Sequence, residues 1–305
     1  MNKLVKTIIG LLLIALLFVF SCQKKNENEE TILKGNATIY VDESLVPVVE
    51  DEVAVFENQY QAKFHLVNKS QTEVLNDLLN GKAKIAIVTR ELSADELKVF
   101  ENKKIKPRIT PFATDAISFI RNKRSNDTLI ALQDVIDFMQ GKEVKTIKGL
   151  VFDNPNSSTM TYLTKISGIK ATSQKNIFSF KTNNEVIKYV AENDGMIGVV
   201  GINWLFQPKL IMQETVDKVN LLSVKNLKSN EYIYPSQDNL AAGKYPLARD
   251  LYIVNCQGYS GLGMGFASFL AGERGQRIIL KSGLVPIRFP TRKIIARKEI
   301  IKEIK

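Results

Sequence analysis

The sequence predicts an α/β protein on a mainly parallel sheet, arranged in two blocks. Three observations predict it. Short runs of β-branched and aromatic residues alternate with segments of helical length. Two of those segments open with capping boxes, Ser70 with Glu73 and Ser93 with Glu96. The same rhythm returns from residue 116 onward, without a sequence repeat.

Taken in order, "ATIYV" (37–41) reads as a strand. "SLVPVVEDEVAVFENQY" (44–60) reads as a helix, with Ser44 as N-cap and Pro47 tolerated in the first turn. "AKFHLVN" (62–68) is a strand, and 70–82 is a helix that Gly81 stops. "AKIAIVT" (83–89) is a strand and 93–104 a helix. In the second block, "AISFIRN" (116–122) is a strand and 129–141 a helix closed by Gly141. "GLVF" (149–152) is a strand, and a helix follows Ser157, Ser158 and Thr159. Residues 184–193 form a helix, and "GMIGVVG" (195–201) a buried strand flanked by glycines.

The N-terminus carries Lys3, Lys6 and the apolar run "IIGLLLIALLFVF", then Ser21 and Cys22. This is a secretion signal, expected to span 1–21. A small residue before Cys22 resembles a bacterial lipoprotein cleavage site, although Val19 and Phe20 depart from its preferred pattern. Cys22 is then the lipidated residue, and polar residues 22–35 form a tether. The alternative, a plain transmembrane anchor, needs a longer run. Cys256 is the only other cysteine, so an acylated Cys22 excludes an internal disulfide. A single histidine and no cysteine cluster exclude a typical zinc site. The formal net charge is +10, and the final fifteen residues hold six basic residues against two Glu. Ile294, Ile301 and Ile304 share one helical face of that tail (291–305), which suits a helix docked on its own protein or a membrane-surface helix.

Four loops place hydroxyls or a cation after a strand and at a helix start. They carry Ser44; Ser70 and Thr72; Thr89 and Arg90; and Ser157, Ser158 and Thr159. Strand C-termini in open α/β sheets, and the free N–H groups of helix starts, suit an anion. Each hydroxyl taken alone would serve equally as a helix cap.

"KYPLARDLYIVN" (244–255), "FASFLAGERGQRIILKSGLVPI" (266–287), "GMIGVVGINWL" (195–205) and "NSST" resemble segments of the phosphate-binding proteins of bacterial ABC-type phosphate uptake systems. The resemblance implies a two-lobed type II periplasmic-binding-protein-like fold. Each lobe would hold a mixed, mainly parallel sheet flanked by helices, with a cleft between lobes. Lobe 1 would comprise 36–112 and 247–290, and lobe 2 residues 113–246. It makes Ser44, Leu45, Ser70, Ser157, Ser158 and Thr159 the ligand contacts. Two positions depart from the family pattern. Asp153 stands where the family has Arg, and Thr89 followed by Arg90 stands where it has Asp. The expectation drawn from this is an exchange, with Arg90 supplying the cation and Asp153 the proton acceptor.

The resemblance implies a lipid-anchored, extracytoplasmic, monomeric receptor that binds inorganic phosphate and passes it to an ABC transporter permease. No cofactor, metal or nucleic acid is expected. The alternative is a surface lipoprotein of the same fold that scavenges a phosphorylated ligand or assists assembly of a surface complex. Catalysis is not expected. The one histidine, His65, lies within a predicted strand, and Asp153 near Ser157 is a thin basis for a general base.

Overall fold

The computed structural model describes residues 30–169 and 175–290. The expected signal peptide, Cys22, most of the tether and the basic tail lie outside the described residues. Among the described residues, no helix is long and apolar enough to cross a membrane.

The chain enters through β1 (Lys34–Asp42), a 3-10 turn (Glu43–Leu45) and α1 (Val46–Gln59). Ser44 does not cap α1 as its position suggests. Asp42 caps the turn instead, accepting the Ser44 N–H, and this leaves the Ser44 hydroxyl free for other partners. β2 (Gln61–Lys69), α2 (Gln71–Leu79), β3 (Ile85–Val88) and α3 (Ala94–Asn102) follow. Both expected capping boxes form, on α2 and α3. β1 lies between β2 and β3, parallel to both, as βαβ connections require.

β4 (Arg108–Asn122) then runs for 15 residues and begins eight residues before the predicted strand. Its first part, "RITPFATD", carries Pro111 and breaks the apolar alternation expected of a strand. The structure accommodates this at a register shift opposite Leu251 and Tyr252. The second block contains β5 (Leu129–Ala131), α4 (Leu132–Met139), β6 (Gly149–Phe152), α5 (Ser158–Ser167), β7 (Ile177–Ser179), α6 (Asn183–Glu192) and β8 (Met196–Gly201). The predicted helix 129–141 is thus a short strand followed by a helix. α7 (Asn203–Phe206), α8 (Leu210–Val216), β9 (Val219–Leu221), β10 (Ser223–Lys225), β11 (Tyr232–Ile233) and α9 (Gln237–Ala241) lead to β12 (Ala248–Asn255). α10 (Leu262–Leu270), α11 (Glu273–Lys281) and β13 (Val285–Pro286) close the described chain.

The main sheet has the order β2-β1-β3-β12-β4-β8-β6-β7. β4 belongs to both halves. Residues 108–116 pair antiparallel with β12, and residues 117–121 pair antiparallel with β8. Helices cover each half, so the molecule has the two-lobed α/β architecture that the resemblance implies. One apolar cluster runs through both halves, from Ile39 and Val41 past Phe119 to Val151 and Val199.

Glu30 fixes the point where the N-terminal segment meets the body. Its carboxylate accepts from Gln257 Nε2 at 2.8 Å, Tyr259 Oη at 3.0 Å and the Leu262 N–H at 2.7 Å. Beside it, Gly265 faces the Ile32 carbonyl, and a Cβ there would lie 1.7 Å from that oxygen. Gly265→Ala is expected to push residues 30–33 off α10 at a cost of about 1–3 kcal/mol. Faster proteolysis near residue 30, together with a lower denaturation midpoint, would show it; an unchanged midpoint would refute it.

Candidate functional site

The site lies where the two halves of the sheet meet. Its centre is Arg249 on β12, paired in register with Asp115 on β4. Sequence reasoning passed over both, although Arg249 sits inside the quoted segment 244–255. The guanidinium is buried, and so is its partner carboxylate. Nε and Nη2 donate to Asp115 Oδ2 at 3.0 and 2.8 Å. Nη2 also donates to Ser44 Oγ at 3.0 Å, and Nη1 to Ser158 Oγ at 2.8 Å. One cation thereby joins a hydroxyl from each half, and those two hydroxyls lie 3.1 Å apart.

Three local arrangements deliver these groups. Ser44 reaches in from the 3-10 turn after β1. Its carbonyl accepts from Asn203 Nδ2 at 3.0 Å and Trp204 Nε1 at 2.9 Å, on the opposite half. Ser157 caps α5, its hydroxyl accepting from the Met160 N–H at 3.2 Å, which is the helix-cap alternative to the expected ligand contact. Ser158 is then the first helical residue, with its side chain turned to Arg249. Thr159 donates to Asp153 Oδ1 at 3.0 Å and lies 2.9 Å from the Ser157 hydroxyl. Ser157, Ser158 and Thr159 are all buried, as is Asp153.

The site is rich in carboxyl groups. Asp42, Asp115 and Asp153 are fully buried. Burial raises Asp42, against the pull of Arg249. Burial likewise raises Asp115, again opposed by Arg249. Asp153 is pushed up to about 6, by burial first and the nearby Asp42 second. Glu43 adds a fourth carboxyl. It accepts the Asn183 N–H at 3.2 Å and a further bond from the Asn183 side-chain amide. Asp42 Oδ2 and Asp115 Oδ1 are buried and have no hydrogen-bond partner among the described residues.

The other expected contacts fall elsewhere. Arg90 does not enter the site. Its guanidinium forks onto both oxygens of Glu96 at 2.8 Å each and donates to the Glu91 carbonyl, with its side chain 41% exposed. The expected charge exchange between Arg90 and Asp153 therefore fails on the Arg90 side, since Glu96 six residues on holds that cation. Thr89 gives both its N–H and its hydroxyl to Gln71 Oε1. Ser70 caps α2, and its hydroxyl donates to Glu73 Oε2 at 2.6 Å. Leu45 is buried in the apolar core. In the first turn of α2, Thr72 crosses between halves, donating to the Asn156 carbonyl at 3.1 Å. Among the described residues, no group of histidine, cysteine and carboxylate side chains could hold a metal ion.

A model of the PBP superfamily domain matches residues 26–274. A phosphate-binding protein PstS from Borreliella burgdorferi is 24% identical over 306 aligned residues, covering 93% of this chain and 99% of that protein. A Clostridium perfringens protein described as a phosphate ABC transporter substrate-binding protein, solved with bound phosphate, superimposes with a TM-score of 0.68 at 19% identity, covering 83% of this chain and all of that one. An ABC-type phosphate transport receptor from Vibrio cholerae gives a TM-score of 0.62 at 17% identity, again over 83% of this chain and all of that one. At these identities the structural likeness speaks for the fold.

Proposed function

Since the chain belongs to the PBP superfamily domain family, we propose that it is a substrate-binding protein that captures inorganic phosphate between its lobes and delivers it to an ABC transporter. The observation that carries this reading is Arg249, a buried guanidinium bonded to Ser44 from one half and Ser158 from the other. An oxyanion placed there meets a fork of donors and the hydroxyls of two separate elements. The start of α5 adds backbone N–H groups beside Ser158. Asp42 Oδ2 and Asp115 Oδ1 can accept protons that the anion carries. Sulfate brings no proton at neutral pH and would meet only repulsion from these carboxylates. The names of the similar receptors support the same ligand. In this reading Arg249 takes the place as cation that Arg90 had in the sequence-based expectation, and Asp153 remains an acceptor.

The lobes are read as 36–112 with 247–290, and 113–246, joined along β4 and just before β12. The secretion signal, Cys22 and the polar tether suit a lipid-anchored extracytoplasmic protein. The reading requires no catalytic group and no cofactor.

The test is equilibrium binding of phosphate to soluble protein (residues 23–305) stripped of bound anion, with sulfate as control. Saturable binding at micromolar or lower phosphate, with none for sulfate, is the expected result. Failure to bind either anion would overturn the phosphate assignment and favour a surface scavenger of a phosphorylated compound.

A further inference from the structure

We propose that Glu43 is a positioning residue that couples closure of the cleft to uptake of one proton, held on its own carboxyl in the closed form. The inference rests on the phosphate reading for the ligand, but not for the conformational step.

Glu43 belongs to the turn after β1, in the first half of the molecule. Everything its carboxyl meets across the cleft belongs to the second half. The Asn183 N–H, at the start of α6, donates to Oε1, and the Asn183 side-chain amide donates to Oε2. That same amide lies 3.4 Å from Asp153 Oδ2. One amide group thus stands between two carboxyls brought together from opposite halves. Asp42, on the preceding residue, adds a third carboxyl. Among the described residues Arg249 is the one cation bonded within this cluster, and its bonds go to Asp115, Ser44 and Ser158 rather than to Glu43. β8 and the first turn of α1, which also pack on the Glu43 turn, contain no titratable residue there.

Glu43 is part-buried and Asp153 fully buried, and two ionised carboxylates sharing one bridging amide there carry a penalty. The start of α6 offsets part of it, because helix N–H groups favour a negative charge. Burial and Asp153 prevail, and they push Glu43 up to about 8. When the halves part, Glu43 returns to water and to the ordinary range near 4.5. The closed form therefore binds the proton more tightly. Closure is favoured at low pH and weakens as pH rises from the ordinary value toward the raised one. The proton is additional to any that phosphate carries.

Trp204 is the only tryptophan in the chain, and its indole N–H bonds the Ser44 carbonyl across the cleft. Its fluorescence reports closure without any ligand, and small-angle scattering reports compaction independently. Both are measured on anion-free soluble protein from pH 6 to pH 8. The closed-to-open ratio of the wild type is expected to fall about tenfold from pH 6 to 7 and about fivefold from pH 7 to 8. Glu43→Gln, a neutral isostere, is expected to stay closed with no such slope, and Glu43→Asp to recover a slope. Asp153→Asn, which removes the opposing charge, is expected to leave more protein closed at pH 8. A flat wild-type profile, or the same slope in Glu43→Gln, would overturn the proposal. Phosphate titrations of the same samples keep the two ideas apart. No phosphate binding with the slope intact overturns the ligand alone; binding with a flat profile overturns the role of Glu43 alone.

Discussion

Arg249→Gln is expected to weaken phosphate binding by at least about a hundredfold and to lower unfolding stability by about 3–5 kcal/mol. The two losses have one source. Among the described residues the guanidinium is the only charge compensating Asp115, which is fully buried and already raised by burial. Without Arg249, that carboxylate must take a proton or stay unpaired, and Ser44 and Ser158 lose their shared donor. Arg249→Lys should recover part of the stability and little of the binding, because an ammonium cannot span Asp115, Ser44 and Ser158 in one plane. Arg249→Met combined with Asp115→Leu separates folding from binding. Replacing both members of a buried pair by apolar groups is often neutral or stabilising, so this variant should fold near wild-type stability yet bind no phosphate. Denaturant titration and calorimetry read the two effects. Phosphate affinity retained in the double variant would remove Arg249 from the site.

Why this pair escaped sequence reading has a physical explanation. Asp115 and Arg249 are 134 residues apart and meet only through the antiparallel register of β4 on β12. No local pattern carries that register. Capping is local, so the starts of α2, α3 and α5 were legible, and Ser157 could be placed at a helix N-terminus. Arg90 shows how a local signal misleads. Its position after a strand suggested an anion ligand, while Glu96, already identified as part of a capping box, was the nearer partner. The first part of β4 was hidden by Pro111, which an alternating pattern does not accommodate but a register shift does. In the loop after β1, the residue type that suggests anion binding, Ser44, stood out beside Asp42 and Glu43. Only the fold shows that Asp42 gathers with Arg249, and Glu43 with Asp153, where the halves meet.

Glu52→Gln is expected to stabilise the protein by about 2–4 kcal/mol at pH 7, and by almost nothing near pH 4.5. Glu52 lies on the apolar stripe of α1 with Val49, Val53 and Phe56, fully buried. Neither carboxyl oxygen has a hydrogen-bond partner among the described residues. Burial, with a smaller contribution from Asp51, pushes it up to about 9. A folded-state value above the ordinary 4.5 means that the folded protein holds the proton more tightly than the unfolded chain. The contribution of Glu52 is then intact at low pH and is lost progressively as pH rises toward 9. Glutamine has the same shape and never ionises, so its advantage should grow with pH. Unfolding free energies at pH 4.5, 6 and 7.5 test this, and a gain independent of pH would contradict the mechanism.

The bond between Ser44 and Ser158, with Arg249 spanning both, bears on the range of supply to which the protein responds. An anion that uses these hydroxyls must first replace the bonds they make to each other and to the guanidinium. Its apparent affinity is the intrinsic one scaled by the fraction of molecules in which those bonds are open. The molecule thus sets its own detection threshold. Each gain in the self-made contact moves half-saturation to a higher external concentration while the liganded form keeps its geometry. Ser158→Gly would remove one hydroxyl from that contact. Serine at 158 therefore adjusts how scarce the anion must become before the receptor runs empty.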